Sequence, residues 1–372
     1  MDYINKYLRN FKPYKLASHK IWDASKEERS NILKLDWNEA TIAPSPLVKE
    51  RLMKLIMEDS FFNLYPSTHN KKLTAKLAIY CGLPDDNVQY FASSDSLHEY
   101  IAKLYISVGD PVLIIWPSYD NFRLTCEING GFVNYYEFDQ DFNFNQDAFL
   151  RAMDRIKPSL AYICNPNNPT GYLHSIKFIE SLLVKYPNTM FLVDEAYYEF
   201  AGKDTSCSSL VLKYENLLIS RTMSKAFAIA NFRFGYLIAS EKNIQYISTI
   251  RNPKNITTFA QEAAIAVLDD QEYMWNYVKE VNLAKVGFVN KLKSMGIESF
   301  ESHGNFVLIK VANPEVKKNL QIFLESRNIY VRNVNQSNGL ENCLRLTIGT
   351  REQMERVIEN IELFYMNKNA KN

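Results

Sequence analysis

Leu217-Leu218-Ile219-Ser220-Arg221-Thr222-Met223-Ser224-Lys225 decides how this chain is read. A short apolar run breaks at once into hydroxyls, a guanidinium and an amine. Runs of this length, bounded by polar clusters and apolar on both alternating faces, read as strands buried within a sheet. The same unit recurs on either side of it, at Val88 to Phe91, Pro111 to Trp116, Phe132 to Tyr136, Leu160 to Cys164, Met190 to Val193 and Gly235 to Ala239. Amphipathic stretches separate most of these runs. Short strands alternating with helices predict an α/β fold with a mostly parallel seven-stranded sheet flanked by helices.

Further out, helices are expected over Pro46 to Asp59 and Asn70 to Cys81, with an aromatic loop at 61–66 between them. Residues 23–31 are charged and read as a loop. Tyr3-Ile4, Tyr7-Leu8 and Phe11 have helical spacing, closed by Pro13. Downstream come two helical patterns, Thr257 to Asp269 and Gln271 to Ser294. A smaller α/β unit follows: strand Phe306 to Val311, helix Glu315 to Ser326, strands Ile329 to Arg332 and Cys343 to Ile348, and helix Arg351 to Met366. The expected division is a large domain over 43–258 and a small one built from 1–42 and 259–372.

Composition narrows the function. A formal net charge of +1 and scattered basic residues supply no field for nucleic acid or a membrane surface. The five cysteines are far apart with no Cys-x-x-Cys, which argues against a disulfide framework or a zinc knuckle and for a reducing compartment. The five histidines are equally dispersed, so no metal site is expected. Lys6 and Arg9 precede no apolar signal segment, and no run approaches the roughly 20 residues of a membrane helix. A cytoplasmic protein is the expectation.

In open α/β sheets ligands bind beyond the carboxyl ends of the strands, and three runs end there in unusual polar clusters. Leu160 to Cys164 leads into Asn165-Pro166-Asn167-Asn168-Pro169-Thr170-Gly171. Met190 to Val193 leads into Asp194-Glu195-Ala196-Tyr197, and the 217–220 run into Thr222, Ser224 and Lys225, with Arg233 and Gly235 beyond. A lysine placed directly after a buried strand is partly desolvated, which lowers its pKa and makes it a usable amine nucleophile. Thr222, Ser224 and Arg233 have the chemistry to grip a phosphate dianion. Ser94 and Asp95 follow another strand and open a helix, where backbone amides form an anion site. Amine, hydroxyls and guanidinium together are what a phosphorylated aldehyde cofactor requires.

Ser220-x-Thr222-x-Ser224-Lys225 followed by Arg233-x-Gly235 resembles the lysine signature of fold-type I, class I/II aminotransferases. Arg221 to Phe227, Asn165 to Gly171 and Val193 to Tyr197 are similar to motifs of the histidinol-phosphate aminotransferase branch, in the same order and over nearly the whole chain. The resemblance implies pyridoxal 5'-phosphate as cofactor, with Lys225 forming the Schiff base. It also implies Asp194 against the pyridine nitrogen, Asn168 and Tyr197 on the phenolate oxygen, and Tyr119 stacked on the ring. Phosphate contacts are implied for Ser94, Asp95, Thr222, Ser224 and Arg233. Tyr65 would reach across a homodimer to the partner's cofactor phosphate. Tyr14, Asn38, Arg332 and Arg345 would bind substrate, with Glu39 and Asn305 near them. The implied reaction moves an amino group between an amino acid donor, glutamate in much of the family, and a small phosphorylated ketone, aldehyde or keto acid.

Some positions depart from the family pattern. Ser93 stands where glycine is usual, an exchange that an ordinary backbone angle at Ser93 would accommodate. Ser96 replaces a glutamate. Trp37 replaces a small residue, and Ala40-Thr41 replace Asn-Pro. These changes lie towards the substrate and put histidinol phosphate itself in question. Rival readings are a decarboxylase of a phosphorylated amino acid, a non-catalytic binding protein of the same fold, and a dinucleotide-dependent dehydrogenase. The last lacks a Gly-x-Gly-x-x-Gly after a strand.

Overall fold

In the computed structural model the described residues are 3, 20–58, 62–335 and 339–369. The expected N-terminal helix and Tyr14 lie outside them. Among the described residues twelve strands form two sheets. The larger contains β2 (Val88–Phe91), β3 (Pro111–Trp116), β4 (Phe132–Glu137), β5 (Leu160–Cys164), β6 (Met190–Asp194), β7 (Leu217–Thr222) and β8 (Gly235–Ala239), in the order β2-β8-β7-β6-β5-β3-β4. Its pairings are parallel from β4 through β7, and only β8 runs against its neighbours. Every residue of β5, β7 and β8 is buried. That is why these strands read as unbroken apolar runs with no alternation.

The smaller sheet holds β1 (Leu33–Leu35), β9 (Glu298–Ser299), β10 (Phe306–Lys310), β11 (Ile329–Asn333) and β12 (Cys343–Thr347), in the order β1-β11-β12-β10-β9. β1 pairs parallel to β11, and the other pairings are antiparallel. A single three-residue strand from the start of the chain thus ties residues 36–39 to the C-terminal sheet. From there the chain crosses to the helix Pro46–Ile56, which is capped by Ser45 and has proline in its first turn.

Residues 23–31 differ from the expected loop. Lys26–Asn31 is a helix closed by a capping box, in which the Ser25 side chain accepts from the Glu28 amide and the Glu28 carboxylate accepts from the Ser25 amide. The Ser-x-x-Glu signal was present but masked by the charge around it. β1 was missed because three residues are too few to show a period. No described helix is long and apolar enough to cross a membrane.

Candidate active site

The carboxyl ends of β5, β6 and β7 open into a cavity of about 400 Å3 roofed by the small sheet and residues 36–39. Its floor carries Asn168, Asp194, Tyr197, Thr222, Ser224 and Lys225. One side carries Ser94, Asp95, Tyr119 and Arg233, and the roof carries Arg332 and Arg345. Residues as far apart in sequence as Asp36 and Arg345, 309 positions, are therefore brought together.

Lys225 follows β7 and is partly buried. Its Nζ donates to the Trp37 carbonyl at 2.9 Å. Burial, opposed mainly by the nearby Glu39 carboxylate, lowers its pKa to about 8, so a neutral amine is accessible near physiological pH. Asp194 ends β6 and is buried. Its Oδ2 accepts from the Tyr162 hydroxyl at 2.8 Å and its Oδ1 from the Ala196 amide at 3.2 Å. Burial and the adjacent carboxylate hold the Tyr162 phenol well above its usual range, so it remains a donor.

The Tyr197 hydroxyl accepts from Asn38 Nδ2 at 3.1 Å and from Asn168 Nδ2 at 3.4 Å. Asn168 Oδ1 in turn accepts from Arg345 at 2.6 Å, and Arg345 also donates to the Asp36 carbonyl at 2.5 Å. This chain of bonds joins both sheets across the cavity. Asn38, expected at the substrate, is fully buried behind the wall, where its side chain meets Tyr197 and the Thr347 hydroxyl.

At the other side, the helix Ser94–Tyr105 points its N-terminus at the cavity, and its first amides have no acceptor within the helix. The Thr222 and Ser224 hydroxyls bond each other at 2.8 Å. Arg233 is half exposed and meets the Asp95 carboxylate at 3.1 Å. Asp95 also accepts from Tyr119 and Asn121. Its carboxylate therefore organises the cations and donors, leaving its backbone amide to face an anion. Gly235 is required here. A Cβ on it would stand 2.4 Å from the Ser94 nitrogen, so only glycine lets β8 back this turn.

Ser93 does not meet the condition of an ordinary backbone angle. Its φ is 92°, in the region that favours glycine. The helix-capping bond from the Ser96 amide to Ser93 Oγ offsets part of that strain. Asn38 (φ 56°) and Arg233 (φ 51°) are also left-handed; Arg233 lines the cavity and Asn38 lies behind its wall, the pattern expected where function over-determines the backbone.

The roof contains features that motifs did not reveal. Lys34 is bound by both Asp36, at 2.9 Å, and Glu39, and its ammonium lies 4.1 Å from the Trp37 ring centroid. One cation between two carboxylates leaves this wall net negative, opposite Arg332 and Arg345. Trp22 closes the rim. Tyr65 lies outside its own chain's cavity, 80% exposed, with Lys254 over its ring.

The family model for aminotransferase class I and II matches residues 30–361, which takes in both sheets and every wall of the cavity. The chain belongs to the class I and II aminotransferases. Among its relatives, a dihydroxyacetone phosphate transaminase of Campylobacter jejuni is 43% identical over 97% of this chain and 96% of its own length. A histidinol-phosphate aminotransferase of Ruminiclostridium cellulolyticum is 34% identical over 99% of both. The crystal structure of histidinol-phosphate aminotransferase from Sinorhizobium meliloti in complex with pyridoxal 5'-phosphate superposes with a TM-score of 0.87 over 98% of each chain, at 22% identity. The resemblance read from the three motifs is thus borne out. This aminotransferase is a transaminase that uses pyridoxal 5'-phosphate, which decides against the non-catalytic and dehydrogenase readings.

Proposed function

We propose that this aminotransferase carries an amino group from glutamate to a small phosphorylated ketone of the dihydroxyacetone phosphate kind. The observation that carries this reading is a cavity of about 400 Å3 that must hold cofactor and substrate together, near the small end of ligand sites. Trp37 narrows it, and Arg332 and Arg345 face the reactive lysine. A short substrate with one anionic end fits, and an imidazole-bearing one is crowded by the indole. The names of the two relatives point to phosphorylated substrates as well.

The residues present suit the cofactor. The amide end of the helix Ser94–Tyr105, Thr222, Ser224 and Arg233 would hold its phosphate. Asp194 would face the ring nitrogen, Asn168 and Tyr197 the phenolate oxygen, and Tyr119 the ring. When bound, pyridoxal phosphate supplies an aldehyde that condenses with amines and a cationic ring that accepts electron density from the substrate carbon. Lys225 would be the attachment point, and its amine would move a proton at the substrate Cα as general base and then acid. Its lowered pKa places it near the optimum for both tasks. Arg345 would bind the donor carboxylate, with Arg332, and Tyr14 from outside the described residues, serving the phosphate.

A homodimer with Tyr65 reaching the partner's cofactor phosphate belongs to the same proposal. Its support is the exposed apolar surface of Met57, Phe62 and Leu64 around Tyr65. A cytoplasmic location is proposed from five unpaired cysteines.

The test is a half-reaction. Enzyme aminated with glutamate is mixed with dihydroxyacetone phosphate, with the imidazole-bearing ketone phosphate, or with unphosphorylated dihydroxyacetone, while visible absorbance is followed. Fastest recovery with dihydroxyacetone phosphate is expected. Recovery with the imidazole substrate alone overturns the assignment. Borohydride treatment should leave the label on Lys225, and a label elsewhere removes the lysine's role.

A further inference from the structure

One fully buried histidine has no part in the reaction as described. His98 lies on the helix Ser94–Tyr105, four residues after Ser94 and so on the same face. It has no exposed surface. Phe122 and Tyr162 clamp its ring edge-on, at centroid distances of 5.4 and 6.0 Å, and stack on each other at 4.6 Å. The surrounding core is otherwise apolar, formed by Leu97, Ile101, Leu192 and Leu218.

A leucine would fill this space without placing an imidazole in an apolar medium. Nδ1 has no hydrogen-bond partner, so all the polar compensation comes through Nε2. That atom is 3.0 Å from Ser220 Oγ and 3.9 Å from Asp194 Oδ2. Ser220 is itself completely buried on β7, level with Asp194 on β6. The only polar direction open to His98 is towards the back of the Asp194 carboxylate, whose front faces the cavity. The titratable groups about the ring are Asp194 from β6 and Tyr162, with Cys164 beyond it, from β5. Ser220 and Phe122 are neutral.

We propose that His98 is a positioning residue for Asp194. With Ser220 and Tyr162 it forms a buried polar cradle that keeps the carboxylate turned into the cavity and matched to a cationic ring nitrogen. The Ala196 amide holds only one oxygen of this acid on its strand end, and a positioned group needs supporting contacts behind it. The helix whose N-terminus meets the phosphate end of the cavity thereby also fixes the opposite, nitrogen end.

The inference rests on the placement of Asp194 against the ring nitrogen, and the experiment separates the two. Holoenzymes of the wild type, His98→Leu, His98→Gln, Ser220→Ala and Asp194→Asn are titrated with pH while the visible cofactor band is followed, and kcat and KM are measured. His98→Leu is expected to displace the titration midpoint by roughly one pH unit and to lower kcat by about tenfold or more, leaving KM within about twofold. His98→Gln, whose amide reaches the Nε2 position, should recover most of both effects, and Ser220→Ala should move the midpoint in the same direction by less. If His98→Leu loses thermal stability but titrates as wild type, His98 is packing only and the proposal falls. If His98→Leu does not fold, an unmoved midpoint in Ser220→Ala overturns it. If Asp194→Asn also leaves the midpoint in place, the assignment of Asp194 fails and this inference with it.

Discussion

Arg221 and Lys225 are four residues apart at one end of β7, and their surroundings differ completely. Arg221 faces away from the cavity, 2% exposed. Its Nε donates to Glu195 at 2.9 Å and its Nη2 to Ser206 at 2.6 Å. The guanidinium also lies 3.7 Å from the Tyr198 ring centroid. Glu195 accepts in addition from Ser206 and the Cys207 amide. Lys225 faces the cavity and donates to a neutral carbonyl. A buried cation with a matched carboxylate is held charged and does structural work. Burial lowers the pKa of the Lys225 amine, and the Glu39 carboxylate opposes that only in part. Both residues belong to the motif by which the sequence is recognised, yet only one of them is placed to do chemistry.

The largest effect should come from Lys225→Ala. Turnover is expected to fall by roughly 10^4-fold or more, as for removal of other covalent catalytic groups, with the melting temperature essentially unchanged. Substantial residual transamination would erase the distinction between the two cations. Arg221→Met tests the other half. It leaves the Glu195 carboxylate buried without its partner, which costs about 3–5 kcal/mol, and urea unfolding should register this. A mutant as stable as wild type would show that the pair is not what holds β7 against the helix Tyr198–Ala201.

Arg345→Ala comes next. Arg345 is buried at the roof of the cavity and donates to Asn168 Oδ1 and the Asp36 carbonyl. Losing charge-assisted bonds worth about 1.5–3 kcal/mol should raise KM for the anionic substrate by roughly tenfold to a hundredfold. An unchanged KM with lowered stability would move Arg345 to the structural side.

What the sequence made legible follows the same division. The floor of the cavity is built from strand ends, where an apolar run stops and polar residues begin, and Asp194, Asn168 and Lys225 were readable for that reason. The roof was harder. Trp37 was noticed only as an odd residue. Its carbonyl became significant once β1 paired with β11 and carried residues 36–39 over Lys225. Lys34 and Asp36 gave no signal, because a Lys-x-Asp in a short strand is indistinguishable from surface charge. His98 gave none either, since its meaning depends on Ser220 and Asp194, which are 122 and 96 positions away. Ser93 shows the reverse case: its departure from the family glycine was legible, and its backbone angle of 92° was left open by the sequence.

The smallest expected effect concerns the carboxylate that Arg221 does not neutralise. Glu199 is buried beside the Arg221–Glu195 pair and accepts a long bond from Tyr80, at 3.3 Å. Burial pushes its pKa up to about 8, with the guanidinium pulling weakly the other way. Between its ordinary value of 4.5 and about 8, the folded protein therefore holds a proton that the unfolded chain has released. Stability from this group is fully present below 4.5 and is lost as pH rises through 8. Lys225 has the opposite sign: between about 8 and 10.5 the unfolded chain holds the extra proton, and stability rises with pH. Glu199→Gln should flatten the decline in urea midpoint between pH 5 and 8 while leaving the limb above 8 unaltered, and Lys225→Ala should do the converse. If Glu199→Gln leaves the lower limb as steep as in wild type, the proton resides elsewhere in the cluster, and Arg221 is balanced by both carboxylates rather than by Glu195 alone.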